Sequence, residues 1–212
     1  MAAVALFAMT GSSYAIPTIK LFDGVNTISV PDGSGSDSDP APGIVSWIGP
    51  VGVVWQVNVT TGTSGGSAAY PFLDLNSVNA TSTAGGTLTI SFSDTGFGPS
   101  DGCVGVSVGG TAGGTVQFET YADAGNGLFT LTTLLTSQSF GAGGFSGATS
   151  ASLSLPASYS LTEVATITHA AGEEVTSLEG QLHVPDGGTT AWLLGITLSG
   201  LALLKPLRRR LS

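Results

Sequence analysis

The strongest constraint on this chain is an alternation of apolar and polar residues that returns at every second position. Val53, Trp55, Val57 and Val59 alternate with Val54, Gln56, Asn58 and Thr60. Leu88, Ile90 and Phe92 alternate with Thr89, Ser91 and Ser93, and Val104, Val106 and Val108 with Gly105, Ser107 and Gly109. Successive side chains of a strand point to opposite faces, so this period marks strands with one face buried. Val116 with Phe118, Phe129 with Leu131, Leu153 with Leu155 and Tyr159 with Leu161 extend the series, although Leu134-Leu135 interrupts the count. Ile19 to Phe22 and Val25 to Val30 flank Asp23-Gly24, a favoured tight-turn pair, and read as an opening hairpin.

Turn signals divide these runs at 61–67, 83–86, 109–114, 123–127 and 141–147, all rich in Gly, Ser, Thr, Asn or Asp. No internal stretch sustains a capped 3.6-residue period. Leu161 to Ala171 has room for a turn or two of helix, but Thr166, Ile167 and Thr168 favour strand. The pattern predicts an all-β domain of eight to ten short strands over residues 16–182. An antiparallel β-sandwich is the first expectation, with a jelly roll or barrel as the alternative. Residues 32–43 (DGSGSDSDPAPG) read as a loop within that one domain.

Charge narrows the partners. Of 14 acidic residues only Asp186 lies beyond Leu182, while Lys20 is the one basic residue between Ile16 and Leu182. Thirteen acids against one base give this body a formal charge of −12. Such a surface repels nucleic acid and anionic lipid and leaves cations and neutral sugars as acceptable ligands. The single cysteine, Cys103, forbids an intrachain disulfide, so packing must supply stability. Cys103 reads first as a small buried residue.

Candidate chemistry is sparse. Asp32, Asp37 and Asp39 crowd the loop, and closely spaced oxygen ligands suit Ca2+, although the spacing does not match an EF-hand. Asp94 with Asp101 repeats the idea more weakly, and loop aspartates more often make Asx-turns. His169 and His183 share no helical face, which argues against zinc. A Cys103–His169 nucleophile pair is supported by residue type alone. No Gly-x-Ser-x-Gly elbow occurs, and Gly105 to Gly114 lacks the lysine of a phosphate loop. Nothing selects a catalytic carboxylate pair among the acids. Trp47, Trp55, Tyr70, Tyr121 and Tyr159 are the large amphipathic aromatics; Trp55 reads as core, and Trp47 as the candidate for stacking a sugar.

The two ends differ from the body. Ala2 to Met9 is apolar, and Ser13-Tyr14-Ala15 gives the small-x-small pattern of a signal-peptidase site, with cleavage before Ile16. Residues 1–15 therefore read as a signal peptide whose basic start lies upstream of Met1. At the other end, Val184-Pro185-Asp186-Gly187-Gly188 precedes an apolar segment over 189–204, then Lys205, Arg208, Arg209 and Arg210. The 14 residues from Ala191 to Leu204 rise about 21 Å as a helix at roughly 1.5 Å each. A bilayer core of about 30 Å wants about 20 residues, so the span is marginal for a permanent anchor. The basic stop holds the C-terminus on the cytoplasmic side.

Motif, apolar segment and basic end together resemble a PEP-CTERM sorting signal, over residues 183–212, in the subtype whose motif reads Val-Pro-Asp-Gly/Ser-Gly. The resemblance implies recognition by an exosortase, a membrane cysteine protease-transpeptidase that cuts near the motif and passes the protein outward. It implies a Gram-negative host that makes exopolysaccharide, transit through the inner membrane, and a final place at the cell surface or in the extracellular matrix. It covers about an eighth of the chain and leaves the passenger's chemistry open. An ordinary C-terminal anchor is the alternative reading of the tail. For the passenger the first expectation is a non-enzymatic structural or interaction role. A carbohydrate- or calcium-binding adhesion module is the second, and an extracellular hydrolase the third.

Overall fold

The structure is a computed structural model that describes residues 16–185. The first six strands are β1 (Thr18–Phe22), β2 (Thr27–Pro31), β3 (Ile44–Val51), β4 (Trp55–Ser67), β5 (Tyr70–Ser82) and β6 (Gly86–Phe97). The other six are β7 (Ser100–Ala112), β8 (Thr115–Asp123), β9 (Thr133–Phe140), β10 (Gly143–Leu155), β11 (Tyr159–His169) and β12 (Glu174–His183). They form two antiparallel six-stranded sheets, β2-β1-β6-β11-β8-β9 and β10-β7-β12-β5-β4-β3. From β5 onward the pairing is nested: β5 with β12, β6 with β11, β7 with β10, β8 with β9. A long hairpin rolled up on itself pairs this way, and the winding is that of a jelly roll within a two-sheet sandwich.

The alternation read from the sequence becomes the core. Ile19, Leu21, Leu88, Ile90, Phe92, Phe118, Leu161 and Ile167 from one sheet meet Val57, Leu73, Leu75, Val104, Leu178 and Leu182 from the other, all buried. Trp55 is buried as expected, its ring 4.7 Å from that of His169. The region 159–169 is strand throughout, with no helical turn. In the opening hairpin, Asp23 Oδ1 accepts the amides of Val25 (2.9 Å) and Asn26 (2.6 Å), while Gly24 takes φ 98°. The turn is thus a four-residue loop closed by an Asx motif.

Three expectations are corrected. The described residues form twelve strands, and β4, β5, β7 and β10 each run 13 residues. The glycine-rich stretch 61–67 is the second half of β4, most of 109–114 belongs to β7, and β10 begins at Gly143. Glycine serves close packing there: a Cβ on Gly62 would lie 2.4 Å from the Phe92 ring, and one on Gly180 2.2 Å from Phe118. Phe92 and Phe118 of one sheet each sit over a missing side chain of the other. Finally, Phe129 to Leu131 is not a strand. The β8–β9 connection folds over the outer face of the first sheet, where the Phe129 amide donates to Ser93 Oγ (3.1 Å) and Ser160 Oγ donates to the Gly127 carbonyl (2.8 Å). Lys20 Nζ stands 4.3 Å from the Phe129 ring centroid. This cover explains why Ser160 and Thr162, on the outer side of β11, are buried.

Candidate functional site

At one end of the sandwich a cleft of about 510 Å³ opens between three elements. They are the 32–43 loop, the tip of the β4–β5 hairpin and the end of β6. Its lining includes Asp32, Pro42, Ser64, Asp94 and Phe97, with Gly65 and Gly66 on the hairpin side. The backbone ties these walls together: the Ser64 amide donates to the Gly43 carbonyl (2.8 Å), and the Gly98 amide to the Ala68 carbonyl (2.6 Å). Asp32 braces the loop through Oδ2, which accepts the Gly43 amide at 2.8 Å.

Asp94 continues the inward series of β6 past Phe92, and it is buried. Its Oδ2 accepts the Ser64 hydroxyl across the sandwich, and its Oδ1 accepts the Thr95 amide at 2.8 Å. Burial raises its pKa above the ordinary carboxylate value. The hydrogen bonds from Ser64 and Thr95 oppose that shift, and the nearby charge of Asp32 adds to it. Phe97 closes the floor, its ring 5.9 Å from that of Tyr159. Tyr70, half exposed, starts β5 at the tip of the hairpin that walls the cleft, and its amide donates to Ser67 Oγ at 3.2 Å.

This combination gives fixed oxygen acceptors, a glycine wall that lets a ligand approach the backbone, and proline and aromatic surface. A few placed polar groups in an otherwise apolar concavity is the general make-up of a small-ligand or sugar site. Among the described residues none lining it is cationic. Both oxygens of Asp94 are engaged in holding the site together, so its arrangement is that of a positioned acceptor rather than a free acid–base group.

The acidic loop is organised differently from a metal cage. Asp37 Oδ1 accepts the amides of Asp39 (3.0 Å) and Ser46 (2.9 Å), and its Oδ2 that of Gly33 (3.0 Å). Asp39 Oδ1 accepts the Ala41 amide at 2.8 Å. The three aspartates share one loop but spend their oxygens on its backbone, and no group of three or more potential metal ligands converges among the described residues. Asp101 is exposed on β7 opposite Ser154, while Asp94 is buried in the cleft, so that pair does not form a site.

Trp47 is partly buried against the core, and a Cβ on Gly49 would lie 2.9 Å from its ring. The ring is therefore largely engaged with protein. Cys103 is exposed on β7, beside Ser152 of β10, which corrects the expectation of a buried thiol. His169 lies in the core, its Nδ1 2.8 Å from Ser82 Oγ and its Nε2 2.7 Å from Thr176 Oγ1. The Cys103–His169 pair is thus separated by the second sheet. Burial lowers the pKa of His169.

At the C-terminal boundary, β12 runs to His183, and Val184 is buried, its amide donating to the Pro71 carbonyl at 2.9 Å. Pro185 is exposed and Ile16 is exposed at the other end. Ala15, Asp186, Gly187, Gly188, Lys205, Arg208, Arg209 and Arg210, with the expected signal peptide and apolar helix, lie outside the described residues.

The cleft is not legible in the sequence, because its two carboxylates are 62 positions apart and meet only through the fold. One signal was available: Asp94 keeps the parity of Leu88, Ile90 and Phe92, which places it on the buried face.

No known protein family matches this chain, and no curated protein matches it. Among solved structures, the K1 cleaved adhesin domain of Lys-gingipain from Porphyromonas gingivalis aligns over 68% of this chain and 99% of its own, at 11% identity and a TM-score of 0.37. The enzymatically active domain of tailspike protein 4 from bacteriophage CBA120 aligns over 74% of this chain and 21% of its own, at 11% identity and a TM-score of 0.32. The C-terminal CBM6 of LamC from Zobellia galactanivorans covers 65% of this chain and 98% of its own, at 9% identity and a TM-score of 0.25. At these scores none of them assigns a ligand to this chain.

Proposed function

We propose that the protein is an exported, non-enzymatic binding module that an exosortase-like system delivers to the cell surface or extracellular matrix, where its end cleft holds neutral polysaccharide. The cleft carries the reading: buried Asp94, pinned by Ser64 and the Thr95 amide, stands with Asp32 beside proline and aromatic surface. Sugar rings offer hydroxyls to fixed acceptors and an apolar face to Phe97, Pro42 or Tyr70. The body's formal charge of −12 favours neutral over anionic glycans. Export rests on the two ends of the sequence, from the Ala15–Ile16 cleavage pattern to the motif that opens at Val184.

The non-enzymatic part rests on the state of the reactive groups. Ser82 and His169 are close, but both are buried away from the cleft, and the Asp94 oxygens are already engaged. The test is affinity electrophoresis on a panel of neutral and anionic exopolysaccharides. Retardation by a neutral polymer, lost at least tenfold in Asp94→Asn and Tyr70→Ala with the fold intact by circular dichroism, is the expected result. No retardation by any polymer, or retardation unchanged in both variants, overturns the reading.

A further inference from the structure

The sandwich encloses an acid with nothing to hold it. Glu163 sits in the middle of β11 with the parity of Leu161, Ala165 and Ile167, so its side chain enters the core. It is fully buried, and neither carboxylate oxygen has a hydrogen-bond partner among the described residues. Its sheet neighbours in register are Phe92 on β6 and Thr120 on β8. The amides of Leu75 and Leu182 on the facing sheet come near and offset a small part of the burial penalty.

Among the described residues no cation stands against it. From the outer side of the facing sheet, Asp74 of β5 acts on it with like charge, and Glu179 of β12 stands near Asp74 in turn. On the other elements around it, Asp94 of β6 is bound to Ser64, and His169, further along β11, is bound to Ser82 and Thr176. Glu119 of β8 is held from the outer face by Gln117, Tyr121 and Ser137. An unpaired carboxylate in such a place is costly, and the group keeps its proton instead.

The facing sheet is irregular at the same level. Between Leu178 and Gly180 the β12–β5 ladder slips, and Ser77 of β5 takes φ 53°, a left-handed conformation for a residue with a side chain. The outer side of this bulge is a shallow hollow lined by Asp74, Glu179, Gly180 and Gln181. A bulge leaves part of the ladder unpaired, which gives water a place to enter toward Glu163.

We propose that Glu163 is a proton-operated latch on the sandwich: protonated, it lets the two sheets close, and on losing its proton it opens them locally at the β5–β12 bulge. Burial, with the charge of Asp74, pushes its pKa well above the ordinary 4.5. Below that ordinary value folded and unfolded chains are both protonated and the latch is fully closed. As pH rises from there toward the folded-state value, the unfolded chain sheds the proton first and closure weakens. The protein is thereby tightest in mildly acidic surroundings and loosens as they turn alkaline.

The experiment is hydrogen exchange of the full chain between pH 5 and 9, with each amide's rate divided by that of the unfolded sequence at the same pH. In the wild type, protection of β5, β11 and β12 should fall by up to tenfold per pH unit within the titration window. In Glu163→Gln the fall should be much shallower, with only the share of Asp94 and Asp74 left, whose pKa values burial also raises, whereas Asp94→Asn should keep most of it. Parallel profiles in wild type and Glu163→Gln overturn the latch. Should the Gln variant fail to fold, the 13C carboxyl titration of Glu163 in the wild type decides. A midpoint well above 4.5 supports the proposal, and one at the ordinary carboxylate value overturns it.

Discussion

Adding one methyl group to the core should show how closely the two sheets interlock. In Gly180→Ala the new Cβ would fall 2.2 Å from Phe118 Cζ and 2.4 Å from Cε2, far inside ordinary contact. Phe118 is fully buried and cannot swing into solvent. Inserting a methyl into a filled core costs about 1–3 kcal/mol, and removing a strand glycine returns up to about 1 kcal/mol of backbone entropy. The net expectation is a loss of about 1–2 kcal/mol. Phe118→Leu alone leaves a cavity and costs about 1–2 kcal/mol, scaled down from the larger cost of truncation to alanine. In the double variant the vacated ring edge receives the methyl, so the combined loss should fall about 1 kcal/mol short of the sum. Urea unfolding with an unchanged m-value reads all three variants on one scale. Additivity within about 0.5 kcal/mol, or a stabilised Gly180→Ala, would refute the interlock between glycine and phenylalanine.

Two further outcomes are expected. Replacing Pro185-Asp186 should leave an unprocessed, membrane-retained form in the native host; unchanged mass and release of the mature protein would count against exosortase sorting. Asp123 accepts the Gly127 amide (2.9 Å) and the Thr132 hydroxyl (2.8 Å), and chiefly the first of these lowers its pKa below 3.8. Its contribution is therefore present above pH 3.8 and lost as pH falls through the lower folded-state value. Asp123→Asn should cost about 1 kcal/mol at pH 6 and progressively less in acid, by thermal melts across that range, and a cost that does not shrink in acid would oppose this account.

What could be read from the residues, and what could not, follows from how each piece is encoded. Alternation is local, so the strands built on Leu88–Phe92, Val104–Val108 and Tyr159–Leu161 were visible, as was the hairpin around Asp23. Glycine is ambiguous. In residues 61–67 it looked like a turn because conformational freedom is its commonest use, yet Gly62 is there to admit Phe92, a residue 30 positions away. Phe129 and Leu131 carry strand parity but lie in a connection, where Phe129 helps cover the sheet, because Asp123 and Asn126 cap the loop and turn it over β11: the Asn126 side chain accepts the Gly96 amide at 2.7 Å. The acids show the same division. Asp32, Asp37 and Asp39 advertised themselves by crowding, and crowding proved to be loop stapling. Asp94 stood out only as a loop acid near Asp101 and Glu163 not at all, yet both break an apolar alternation at a position whose parity points inward. A polar residue on the buried beat of a strand should therefore be weighed before a polar residue in a loop. Placing it inside has a desolvation cost of several kcal/mol, so its presence there calls for a role. In this protein that rule separates the cleft acid, which finds Ser64 and the Thr95 amide, from the core acid, which finds no partner and must answer to the proton concentration outside.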